Sequence, residues 1–340
     1  MAVLLFMESP LSRRKQLSIL ITNEEYRQDS YALLNQYKES MSYLASVFND
    51  NYQKSESVTK LSWKSFAFYN KCIKSLQAND ADSGLHFFQE AKQNERQGSE
   101  RFRVSGFSEN SRKEEIDLVV DEIREEASGK ISIGFINADV AEVEKAKLIA
   151  GIELLKAQSM DLYNEAEILI DEIVLTGPGD EYHVRSASSF NLLGLVLIWA
   201  DEVHSPIYYA QQVVHEAAHL RLFLKSTDDR FVLNPESELY TAPFRPDARP
   251  MLGIFHALFV LARIALAMSG LGKIAPGKLA EEALEKGRVA EKRFFATAAQ
   301  IKRDGVLTPM GQQIFDECLQ EITKISPFRN IYDDMLENGF

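Results

Sequence analysis

SPIYYAQQVVHEAAHLRLFLKS, residues 205–226, reads as one continuous helix. Ser205 is a good N-cap, and Pro206 suits the first helical position, where no amide hydrogen is needed. Val213, Val214, Ala217, Ala218, Leu220 and Leu222 make the helix apolar around most of its circumference, so it is predicted to be buried. Inside it, HEAAH at 215–219 sets His215 and His219 four residues apart, on the same helical face. Two imidazoles so placed can bind one divalent transition metal ion. Imidazoles in apolar surroundings need partners, and metal ligation supplies one. Two satisfied core histidines are the plainer alternative, and the HEXXH pattern favours the metal.

Downstream, TDDRFVLNPESELYTAPFRPDARP at 227–250 carries four prolines and several turn formers, which predicts a structured loop. Pro250 then opens MLGIFHALFVLARIALAMSGL, 251–271. That stretch is long enough to span a bilayer, but His256 and Arg263 within it would be costly there, so a helix buried in a protein core is expected. Further helices are expected near 276–304 and 308–324. Upstream, helical periodicity runs from a capping box at Thr22–Glu25 to about residue 47, then near 55–77, 84–98, 112–127 and 140–170. β-rich pieces fall at 130–136, 173–177 and 190–199, with a turn at TGPGD, 176–180. The expected fold is mainly α with a small β-sheet next to the metal-binding helix. A mostly helical region over 1–170 and a metal-binding catalytic region over 171–340 are expected to pack as one unit.

Composition narrows the function. Among 340 residues the formal charge is −12, and no long Lys/Arg run is present, which argues against a nucleic-acid partner. Cys72 and Cys318 are far apart and are expected to be buried apolar residues, not a disulfide or thiolate site. The N-terminal residues lack the pattern of a secretory signal, so a cytoplasmic, non-membrane protein is expected.

A catalytic metal needs a third ligand. Glu238 follows His219 after eighteen intervening residues, a spacing similar to aminopeptidase-type zinc proteases, but its proline-rich surroundings disfavour a helix. His256 lies one helical turn after Pro250, with Gly253 allowing close approach, and is the favoured candidate. Arg245 and Arg249 in FRPDARP form a second feature, since a guanidinium matches a carboxylate bidentately and could anchor an acidic cosubstrate. Pairing with Asp247 or Glu238, to stiffen the loop, is an equal alternative.

VVHEAAHLRLFL followed by YTAPFRPDARPMLGIFHALFVLARI resembles the HEXXH-motif family associated with ribosomally synthesised peptide natural products (RiPP biosynthesis). Members of that family are iron(II)- and 2-oxoglutarate-dependent peptide β-hydroxylases. HEAAH at 215–219, FRPDARP at 244–250 and GIFH at 253–256 carry the resemblance, and SASSFNLLGLVLI at 186–198 looks like the strand preceding the metal helix. The match covers about 186–265. It implies His215, His219 and His256 as iron ligands and Arg245 or Arg249 as the 2-oxoglutarate anchor. It also implies dioxygen as cosubstrate, a precursor peptide as substrate, and Glu216 as a residue orienting a ligand or bound water. Three histidines depart from the two-histidine, one-carboxylate set usual for non-haem iron oxygenases, which keeps Glu216 and Glu238 open as ligands. The rival reading is a zinc peptidase with Glu216 as general base. A peptide-binding module with structural zinc ranks third.

Overall fold

Among the residues described by the computed structural model (25–96, 102–126, 132–179, 185–241 and 248–328), helices dominate and the strands are short. The fold is mainly α with small β-sheets. The first helices are α1 (Glu25–Phe48), α2 (Trp63–Gln77) and α3 (Ala81–Gln93). They are followed by β1 (Arg103–Gly106), α4 (Lys113–Glu126), α5 (Ala138–Gln158), α6 (Met160–Leu169) and β2 (Glu172–Thr176). Next come β3 (Ser186–Ala187), β4 (Leu195–Trp199), α7 (Pro206–Lys225), β5 (Leu239–Thr241) and β6 (Ala248–Pro250). Three helices follow: α8 (Met251–Ile274), α9 (Lys278–Asp304) and α10 (Pro309–Ile325).

These elements form two compact units, and each is discontinuous in sequence. One takes the described residues up to 137 together with 167–199; the other takes 138–166 and the described residues from 200 onward. α5 and most of α6 belong with α7–α10, and β2–β4 belong with the N-terminal helices. In the first unit the sheet order is β1-β2-β4-β3, with β1, β2 and β4 parallel and β3 antiparallel to β4. β2 is buried along its whole length, as a strand flanked on both sides is expected to be.

Several elements differ from the sequence expectation for local reasons. The long helix predicted near 140–170 is broken at Ser159, whose Oγ accepts a bond from the Leu162 amide (3.3 Å) and so starts α6 afresh. The strand predicted over 190–199 begins only at Leu195, because Gly194 sits at φ 97° and its carbonyl accepts from the amides of Asp171 and Glu172. Of the piece at 130–136, residues 130 and 131 lie outside the described residues, and the rest contributes an isolated bridge between Gly134 and Gly177. α2 starts eight residues later than its predicted onset at 55. The capping box at 22–25 lies mostly outside the described residues.

The second unit is built around α7 and α8. The Ser205 Oγ accepts from the Tyr208 amide (3.1 Å), which caps α7 as its sequence predicts. α5 crosses both α7 and α8, and Gly151 permits the approach to α7: a Cβ there would stand 2.3 Å from the Pro206 carbonyl oxygen. α8 packs against α7, α9 and α10. Among the described residues α8 is the one helix long and apolar enough to cross a membrane, and 67% of its apolar window is buried inside the protein. Its Arg263 is paired with the fully buried Glu165 of α6. α8 is a core helix of this unit.

The segment 227–250 also holds structure where a loop was expected. β5 and β6 form an antiparallel ribbon, with Tyr240 opposite Arg249 and Leu239 opposite Pro250. Gln300 of α9 donates its Nε2 hydrogen to the Thr241 carbonyl (2.8 Å) and so ties the ribbon to the helical core. β6 runs directly into α8, which fixes where the first turn of that helix, and therefore His256, is presented.

Candidate metal centre

Between Ile207 and Lys225, α7 is buried on every side but one. The half-buried residues are Gln211, His215, His219 and Phe223, spaced four apart, so they form a single stripe along the helix. On α8 the corresponding opening falls at Leu252, Gly253, His256 and Ala257. α7 and α8 pack together, and these two stripes bring His256 beside His219, which neighbours His215 on α7. The ring centres of His215 and His219 are 5.0 Å apart, and those of His219 and His256 are 5.7 Å apart.

Whether these rings suit one metal ion is a question of reach and protonation. Imidazole nitrogens held about 2.1 Å from a shared ion, at angles between octahedral and tetrahedral, leave their ring centres about 5 Å apart. The first pair meets that spacing and the second exceeds it by a fraction of an ångström. Among the described residues, no three His, Cys, Asp or Glu side chains already converge as a formed ligand set. The donor chemistry fits: three imidazoles suit iron, zinc, copper or nickel alike.

Protonation favours ligation. Burial, followed by the nearby His215, His256 and Arg249, holds the His219 pKa well below the usual histidine value. Burial alone lowers His256 to about 4. Both residues keep partial solvent exposure. Near neutral pH they are uncharged, with a lone pair to offer, as a metal ligand must be.

The remaining sequence candidates divide. Arg249 lies within electrostatic reach of His219, and its alkyl stem runs over the first turn of α8 at Gly253. A Cβ at Gly253 would meet that stem at 3.8 Å, an ordinary contact, so the close approach expected of this glycine is not required. Arg245 and Asp247 lie outside the described residues. Glu216 is 1% exposed, and its Oε1 is 3.8 Å from His215 Nε2, beyond a direct hydrogen bond. Glu238 is exposed in the turn before β5 and accepts a bond from the Tyr240 hydroxyl (2.6 Å), an interaction that raises the Tyr240 pKa. Among the described residues no helix intervenes between α7 and α8, so Glu238 lacks the second helix on which a zinc-protease glutamate sits.

Two residues of the site escaped the sequence reading. Gln211 and Phe223 continue the histidine stripe by one turn in each direction, and the four-residue spacing from His215 and His219 was the available signal. The Phe223 ring centre lies 6.1 Å from His219 and 5.6 Å from His256.

No protein-family model matches the sequence, and no curated protein matches it.

Proposed function

We propose that this protein is an iron(II)- and 2-oxoglutarate-dependent dioxygenase of the HEXXH-motif peptide β-hydroxylase family, an oxidoreductase acting on a ribosomally made precursor peptide in the cytoplasm. The observation that carries the reading is the apposition of His256 with His219, on facing half-buried stripes, with Arg249 beside them. Together with the resemblance of HEAAH, FRPDARP and GIFH to that family, it favours His215, His219 and His256 as the metal ligands.

Iron(II) bound there supplies the activation of dioxygen that couples decarboxylation of 2-oxoglutarate, giving succinate and carbon dioxide, to hydroxylation at the β-carbon of a substrate residue. The protein's own residues do the rest. The imidazoles of His215, His219 and His256 would hold the ion. The Arg249 guanidinium offers a planar pair of donors to a cosubstrate carboxylate, with Arg245 as the alternative anchor. The apolar walls of α7 and α8 limit water at the reacting centre. Glu216, behind His215, orients that ligand or a bound water and is not needed as a base.

The zinc peptidase is the second reading, favoured by one observation, the Glu216 carboxylate lying 3.8 Å from His215. Mass spectrometry of a candidate precursor peptide, incubated with protein, iron(II), ascorbate and 2-oxoglutarate, separates the two. The hydroxylase gives a product about 16 mass units heavier, blocked by N-oxalylglycine. Peptide fragments formed without 2-oxoglutarate, and lost on Glu216→Gln with zinc retained, would instead establish the peptidase.

A further inference from the structure

The rings of His219, His256 and Phe223 form a nearly equilateral triangle, with centres 5.7, 5.6 and 6.1 Å apart. All three separations fall within the range of about 4.5–7 Å over which aromatic rings are in contact. Phe223 therefore touches both a histidine of α7 and the histidine of α8. His215, at the other end of the stripe, keeps 35% of its side chain exposed, and beyond it the stripe ends in the polar Gln211. The stripe is thus asymmetric: an apolar ring stands at the His219/His256 end, and the partly exposed His215 and the polar Gln211 stand at the other.

We propose that Phe223 is a positioning residue of the metal centre, wedging the His219 and His256 rings into a common orientation and shutting water out on that side, so that cosubstrate and peptide reach the metal from the His215 and Gln211 side. This rests on the metal-site reading above. Imidazole orientation sets the direction of the donor lone pair, and a ligand ring packed on one face by an aromatic cannot swing away without losing that contact. Phe223 acts through the two ligands and touches no reacting atom.

Cobalt(II) is the probe, because its visible absorption weakens as added water raises its coordination number. Cobalt affinity and the visible spectrum are compared in the parent protein, Phe223→Ala, Phe223→Leu and Phe223→Tyr, each first shown to unfold cooperatively. The expected result is a loss of affinity of about tenfold in Phe223→Ala, the lower end for residues supporting metal ligands. Its visible band weakens as water enters, Phe223→Leu behaves similarly, and Phe223→Tyr is restored. Should the Ala variant not fold, the Leu variant, which keeps apolar volume but lacks the ring, decides alone. A parent that binds cobalt, with Ala or Leu variants unchanged in affinity and spectrum, would overturn the wedge alone. A parent that takes up no cobalt would overturn the metal centre itself.

Discussion

His256 of α8 faces His219 of α7 with ring centres 5.7 Å apart, although thirty-six residues separate them in sequence. The relationship depends on two fixed points. Ser205 and Pro206 set where α7 begins, and the β5–β6 ribbon, anchored through Gln300, sets where α8 begins. A change at either end alters how the histidines meet.

His256→Ala leaves two imidazoles, too few to hold a catalytic metal well. Metal affinity measured by competition with a chelator is expected to fall at least tenfold, with 2-oxoglutarate turnover lost. Full metal occupancy and activity in this variant would remove His256 from the site.

Arg249→Ala is expected to raise the apparent KM for 2-oxoglutarate at least tenfold with little change in metal affinity, the mark of a cosubstrate anchor. Arg245→Ala is measured beside it. A large effect from Arg245 alone would move the anchor to that residue, and small equal effects would make both arginines structural.

Arg263 and Glu165 are both almost fully buried and paired, so removing one partner strands a charge in the core. Urea unfolding of Arg263→Met or Glu165→Leu alone is expected to show a loss of about 3–5 kcal/mol, and the double substitution to recover much of it. Additive losses in the double variant would contradict the pairing.

The acid sensitivity of the metal-free protein follows from His256. Its folded pKa of about 4 lies below the unfolded value near 6.5, so between those limits the unfolded state binds the proton and the native state does not. The stability this neutral ring permits is present in full above about pH 6.5 and declines as pH falls towards 4, by roughly 3 kcal/mol. Denaturant titrations at pH 7 and pH 4.5, on the parent and on His256→Leu, isolate the contribution. An equal pH dependence in the two proteins would mean that His256 titrates normally.

The sequence made α7 readable because its signals agree: an N-cap serine, proline at N1, an apolar circumference and a histidine pair at helical spacing. α8 was readable from its long, largely apolar run. The pairing of these helices could only be proposed from His256, since nothing local to either stretch of sequence encodes it. Phe223 was hidden because an aromatic at helical spacing has the composition of core, and only its stripe of partial exposure sets it apart. β1 was invisible: RVSG has neither alternation nor an apolar run, and it becomes a strand through its parallel pairing with β2, nearly seventy residues away. The grouping of α5 with α7–α10 is likewise a matter of long-range packing, expressed locally only by the small residue Gly151.

The most direct test is to reconstitute the anaerobically purified protein with iron(II), add 2-oxoglutarate and dioxygen, and measure succinate. Formation of succinate that requires both iron and oxygen, and disappears in His219→Ala, is the expected result. Failure of iron-loaded protein either to form succinate or to bind 2-oxoglutarate, together with tightly held stoichiometric zinc, would contradict the oxygenase and favour Glu216-driven hydrolysis.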